Sequence, residues 1–162
     1  EVNLQTFIRG VQLSLRTAVA ATLSLMLAHF FGLQHPIYAL IAAVIVTDLS
    51  PSQTRQLGLR RTDATVVGAV CGAALSTLLP PYPWIIGLGV LAAMLLSKLL
   101  HADDGAKVAG YICGIVLLEH SVEPWSYAFY RFVETMLGIV VAGLISLVPK
   151  LIRIYESEHQ NS

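Results

Sequence analysis

Charge is what this chain has least of. Only 12% of its residues are Asp, Glu, Lys or Arg, about half of the roughly 25% usual for a soluble domain. So few charges cannot cover a water-facing surface, and an ordinary soluble domain is excluded. Cysteine is nearly absent as well. Cys71 and Cys113 both stand mid-run among apolar and small residues, which reads as packing side chains rather than a disulfide framework. The sequence holds no Gly-x-Ser-x-Gly, no His-Glu-x-x-His and no phosphate-binding glycine loop, so no catalytic constellation is visible. His29, His35, His101 and His120 lie near the ends of apolar runs, without metal-like spacing or a cysteine close by. The expectation is a non-enzyme without metal or cofactor. A compact apolar leader is also lacking, because the first ten residues include Glu1, Asn3, Gln5 and Arg9. No cleavable signal peptide is therefore expected.

What fills the chain is apolar sequence. Hydrophobic residues make up 56% and the mean hydropathy is +0.70, the composition of a membrane protein. Leu4, Phe7, Ile8, Val11 and Leu15 recur at helical spacing opposite Gln5, Arg9, Gln12 and Ser14, an amphipathic lead-in lying at the membrane surface. It continues without a breaker into a first run, Thr17 to Gly32. Gln34-His35-Pro36 turns the chain into a second run, Ile37 to Val46. A polar basic loop is expected from Ser52 to Arg61, then a third run from Ala64 to Leu79, stopped by Pro80-Pro81-Tyr82-Pro83. Trp84 to Leu100, Val108 to Leu118 and Phe132 to Val148 are the fourth, fifth and sixth runs. Turns fall at His101 to Gly105 and Glu119 to Pro124, Pro149-Lys150 closes the last run, and the tail from Tyr155 onward is polar. Tyr38, Trp84, Trp125 and Tyr127 sit near run ends as interfacial aromatics, while Tyr111 lies deeper.

Each run approaches the length that crosses about 30 Å of hydrocarbon, the short ones with help from their flanks. With the amino terminus in the cytoplasm, Arg9, Arg16, Arg55, Arg60, Arg61, Lys98, Lys107, Lys150 and Arg153 face that side. Of the ten basic residues only Arg131 faces away, as the positive-inside rule requires. Both termini are expected to be cytoplasmic. Topology thus accounts for the basic residues, and nucleic acid is not an expected partner.

One pattern occurs twice. Arg61 is followed by Thr65, Gly68, Gly72 and Ser76; seventy residues later Arg131 is followed by Thr135, Gly138, Ala142 and Ser146. These offsets fall within an arc of roughly 80° on a helix, so each copy is a helix opened by Arg and striped with small and hydroxyl residues. Such a stripe either admits a neighbouring helix or lines a polar path. Three runs per copy is an odd number, so the second copy enters the membrane from the opposite face, an arrangement common in transporters. The expected fold is an all-α membrane protein of six transmembrane helices built as two inverted three-helix repeats. It forms a single domain over 1–162, with repeat one at about 5–80, repeat two at about 81–150 and a tail at 151–162.

Arg61 and Arg131 are the first candidates for an anion site, since a helix amino terminus adds free N–H groups to the guanidinium. The bland reading is a snorkelling boundary arginine, paired locally as Arg60–Asp63 or Arg131–Glu134. Arg16 would reach the headgroups or deeper, where an ionisable residue tends to face a cavity or the bundle interior. Asp48 and Glu119 end equivalent runs, and with Asp63 and Glu134 they could relay protons or pair with the arginines. Thr65 and Thr135 could offer hydroxyls to a passing carboxylate. Gly68–Gly72, Gly110–Gly114 and Gly138–Ala142 are small-xxx-small pairs, for which close helix packing is the default.

Arg61-x-x-x-Thr65-x-x-Gly68, preceded by a helix ending in Val46-Thr47-Asp48-Leu49-Ser50-Pro51, resembles the membrane domain of the fusaric acid resistance and aromatic acid exporter proteins. More distantly it is similar to the plant aluminium-activated malate transporters. The resemblance spans about residues 5 to 150. It departs at Ala64, where the family pattern often has Gly, and the large cytoplasmic domain of many relatives has no counterpart in this sequence. The resemblance implies a six-helix unit that exports or conducts organic anions, aromatic carboxylates among them, often as a dimer. The expected setting is the bacterial inner membrane, with the lipid bilayer, a small organic anion and a second copy of the chain as partners. The alternative is a membrane scaffold whose stripes are only packing surfaces.

Overall fold

The computed structural model describes residues 4–100, 105–119 and 123–148, and among them every regular element is helical. The six helices are α1 (Leu4–Phe30), α2 (Ile37–Val46), α3 (Pro51–Leu78), α4 (Pro83–Leu99), α5 (Ala106–Glu119) and α6 (Pro124–Ser146). The turns expected at His101 to Asp104 and at His120 to Val122, the residues from Pro149 and the polar tail lie outside the described residues.

The helix boundaries follow from local chemistry. α1 is continuous, joining the amphipathic lead-in to the first apolar run. It ends at Gly32, whose φ of 64° is the left-handed conformation glycine tolerates. There the Gly32 N–H donates to His29 O and the Leu33 N–H to Ala28 O, the paired bonds that close a helix carboxyl end. α3, α4 and α6 each carry proline in the first turn, where the missing N–H costs nothing.

The loop expected from Ser52 to Arg61 is instead helix. Pro51 starts α3, and no breaker intervenes before Leu79. The segment is polar but it is packed: Thr54 is 2% exposed, and a Cβ on Gly58 would meet Ile139 at 2.9 Å. α3 therefore has 28 residues, about 42 Å at 1.5 Å per residue. α2 has 10, about 15 Å and half the hydrocarbon thickness. Its flanks do not extend it, since Thr47 leaves the helix with ψ 124°. Among the described residues α1 and α6 are, by length and composition, the two helices able to cross a bilayer; α2 and α4 are apolar but shorter.

α3 and α6 pack together at the centre. α3 also packs on α4 and α5, and α6 on α1 and α2, while α1 rests on α2 and α4 on α5. Exchanging α1 with α4, α2 with α5 and α3 with α6 turns every packed pair into another packed pair. The closest approaches obey the same exchange. A Cβ on Gly68 of α3 would collide with the Ala109 carbonyl of α5, and one on Gly138 of α6 with the Ala39 carbonyl of α2. Gly68 and Gly138 are seventy residues apart, and so are Ala39 and Ala109. Gly72 continues the α3–α5 contact against Val116, and Gly110 packs on Met94 of α4. Gly114 is looser, with its nearest neighbour, Val90, at 3.4 Å. Cys71 and Cys113 are free thiols within the α3–α4–α5 cluster, which suits the packing role read from the sequence.

Candidate functional site

Helices α3 and α6 each carry one arginine into the interior. Arg61 is 3% exposed and Arg131 1%, so neither snorkels to a boundary. Nor does either begin its helix. Arg61 lies about three turns inside α3 and Arg131 about two turns inside α6. Backbone N–H groups at that depth are committed to the helix, and the expected contribution of a helix amino terminus does not arise.

Their surroundings are aromatic. The Arg131 guanidinium carbon stands 3.2 Å from the centre of the Tyr38 ring on α2, and that of Arg61 stands 5.5 Å from the Tyr111 ring on α5. An aromatic face attracts a cation without accepting its in-plane hydrogen bonds. Nε and Nη1 of both arginines are buried without a hydrogen-bond partner, while the Arg61 guanidinium also interacts with the Tyr111 hydroxyl. The two guanidinium charges also act on each other.

The Arg131 side of the interior is the richer one. Tyr127 donates its hydroxyl to that of Tyr38 at 3.1 Å. The His35 ring lies edge-on to Tyr127 with centroids 5.4 Å apart. One turn beyond Arg131, Glu134 is fully buried. Its Oε1 accepts the His35 backbone N–H at 2.7 Å, while Oε2 has no partner. Thr135 Oγ1 is likewise buried and unpartnered. Its repeat equivalent, Thr65, is satisfied within its own helix by donating to Arg61 O at 2.7 Å. Buried polar groups are nearly always paired, so Arg131 Nε and Nη1, Glu134 Oε2 and Thr135 Oγ1 together mark a place with unfilled bonding capacity.

The other candidates fall elsewhere. Arg16 is buried, but its groups are used: Nη1 donates to Leu49 O at 3.1 Å and Nη2 to Val148 O at 2.8 Å. These carbonyls follow the carboxyl ends of α2 and α6, where a cation complements the helix dipole. Arg16 thereby ties three chain segments together. Asp48 is half-buried in the α2–α3 connection, where Oδ1 accepts the Ser50 N–H and its own N–H donates to Thr54 Oγ1. Asp63 and Glu119 are exposed. Tyr38, Tyr127 and His35 were legible only as interfacial or loop residues, and their part in the Arg131 cluster requires knowing that α2 lies against α6.

Two grooves run along the α3–α6 seam. One, of about 720 Å³, lies between the first half of α3 and the second half of α6; the other, of about 330 Å³, lies between the complementary halves. Arg55, Leu59, Met136 and Val140 in the first correspond at an offset of seventy to Trp125, Phe129, Val66 and Val70 in the second. Neither groove is lined by Arg61 or Arg131.

The model of aromatic acid exporter family member 1 matches residues 10–148, which covers α2 to α6 and all of α1 but its first six residues. The chain belongs to the aromatic acid exporter family. It is similar to UPF0421 protein YgaE of Bacillus subtilis, 27% identical over 134 residues covering 82% of this chain and 38% of that protein. It resembles UPF0421 protein SSP0904 of Staphylococcus saprophyticus at 22% over 137 residues, 83% of this chain and 41% of that one. With the uncharacterized transporter YdhK of Escherichia coli it shares 21% over 146 residues, 83% of this chain and 22% of that protein. The chain thus spans less than half the length of these curated relatives. No solved structure matches it. Aromatic acid exporter membership, with α1 and α6 apolar and long enough to cross, makes this an integral membrane chain of a transporter family.

Proposed function

We propose that this domain moves small organic anions, aromatic carboxylates among them, out of the cell across the bacterial inner membrane. The observation that carries the reading is the Arg131 site. A guanidinium deep in a membrane domain is costly, and this one is held on the Tyr38 ring with Nε and Nη1 unbonded. A carboxylate is the natural acceptor for such donors, and Thr135 Oγ1 adds a hydroxyl. Arg61 beside Tyr111 is the counterpart in the other half. The role of Arg16 in this proposal is structural. Six crossings as two inverted repeats, with both termini cytoplasmic, would place Arg61 toward the cytoplasmic side and Arg131 toward the outer side. The matched packing pairs support that arrangement. A homodimer is proposed as the working unit.

The scaffold reading has one observation in its favour: Gly68, Gly72 and Gly138 of the stripe pack against neighbouring helices. Counterflow of labelled benzoate into proteoliposomes separates the two. The transporter reading expects accumulation well above protein-free vesicles, and the scaffold reading expects none.

A further inference from the structure

We infer that Glu134 competes with the transported anion for Arg131, so that an anion binds there together with a proton. This rests on the reading of Arg131 as an anion site and deepens it by naming the buried charge that an arriving anion meets. Among the described residues the buried charged side chains are Arg16, Arg61, Arg131 and Glu134, and Glu134 is the one acid. It stands one turn from Arg131 on the same helix, and the two charges act on each other. Yet Glu134 makes no hydrogen bond to Arg131 with Oε2, and Arg131 Nε and Nη1 stay open. The carboxyl group is held instead by Oε1, through the His35 N–H at the entrance to α2.

This geometry gives Glu134 two roles set by one proton. As a carboxylate it is the counter-charge of Arg131 and repels an arriving carboxylate. As an acid, having taken a proton from water on Oε2, it leaves the guanidinium charge uncompensated, and Oε2–H becomes a donor. Anion binding to Arg131 and proton binding to Glu134 therefore favour each other, as linkage requires. The backbone bond to Oε1 survives in both states, because either form of the carboxyl group can accept it.

Arg131 and His35 act on Glu134 directly, and the elements packed on or near α6 carry further ionisable groups. α6 itself contributes Arg131 and Tyr127, α2 and its entrance contribute Tyr38 and His35, α3 contributes Arg61, and α5 ends in Glu119. α1 brings His29, exposed near its carboxyl end, and Arg16, already bonded to two carbonyls. His35, whose backbone N–H is bonded to Glu134 Oε1, is the neighbouring group that a variant must set apart from Glu134.

The test is calorimetric titration of the purified protein with benzoate in two buffers of different ionisation enthalpy, which counts protons exchanged on binding. Between about pH 5.5 and 8.5 benzoate remains ionised, so a proton taken up must go to the protein. The wild type is expected to take up as much as one proton per benzoate at the alkaline end, with affinity falling by up to about tenfold per pH unit. Glu134→Gln, which keeps an acceptor for the His35 N–H, is expected to bind benzoate without proton uptake and without that pH slope. Binding by the wild type with no proton exchanged at any pH would overturn the inference while leaving the anion site in place. So would a Glu134→Gln protein that keeps the wild-type slope while His35→Asn loses it. Failure of the wild type to bind benzoate at any pH would overturn the anion-site reading itself, and this inference with it.

Discussion

Arg16 and Arg131 are the same side chain at similar burial, and they do opposite things. Arg16 spends its donors on Leu49 O and Val148 O, whereas Arg131 lies on an aromatic face that takes none. Arg16→Gln should therefore cost stability, on the order of 2 kcal/mol for lost charged hydrogen bonds. It should lower the midpoint of thermal unfolding in detergent while leaving benzoate affinity unchanged. A drop in affinity without a change in unfolding would return Arg16 to the site. The arginines are legible in the sequence, because an ionisable residue in an apolar run is conspicuous. Their separate roles are not, since what each guanidinium touches depends on residues as far away as Val148. Tyr38 and His35 were missed as site residues for the same reason: their partners, Arg131 and Glu134, lie on another helix.

Among the elements, α2 was legible to the residue, because Pro36 and Thr47 punctuate it sharply. α3 was not. Its first ten residues are polar, and a polar stretch between apolar runs reads as a loop unless its small face, Thr54 and Gly58, is known to lie against other helices. The glycine stripes were legible as packing surfaces, and the structure adds what they pack on. Since even a Cβ would strike backbone at Gly68 and Gly138, Gly68→Ala and Gly138→Ala should each destabilise the fold by about 1–3 kcal/mol through overpacking. Gly10→Ala and Gly143→Ala meet nothing within 4 Å and should gain up to about 1 kcal/mol from helix propensity. Thermal unfolding of the four variants checks this, and equal effects at all four sites would dismiss the helix crossings as tight points.

For the whole molecule, the sequence suggested two copies from ten residues. In the structure the same offset relates helix partners, the Gly68–Ala109 and Gly138–Ala39 crossings, and the residues of two grooves. Whether the copies enter from opposite faces is a matter of topology that cysteine labelling reads directly. Arg55 and Trp125 are repeat equivalents and both are exposed. In a background lacking Cys71 and Cys113, Trp125→Cys should react with an impermeant maleimide in intact cells, and Arg55→Cys only after permeabilisation. Labelling of both from one side would contradict inversion.

In the transporter reading the buried Arg131 guanidinium on the Tyr38 ring receives the anion. Benzoate counterflow in proteoliposomes, comparing wild type with Arg131→Gln at equal amounts of correctly folded protein, tests it most directly. Losing a charged donor in a binding site typically costs about 1.5–3 kcal/mol, so counterflow at low benzoate should fall by roughly tenfold to a hundredfold. Wild-type counterflow in Arg131→Gln would rule Arg131 out as the anion site.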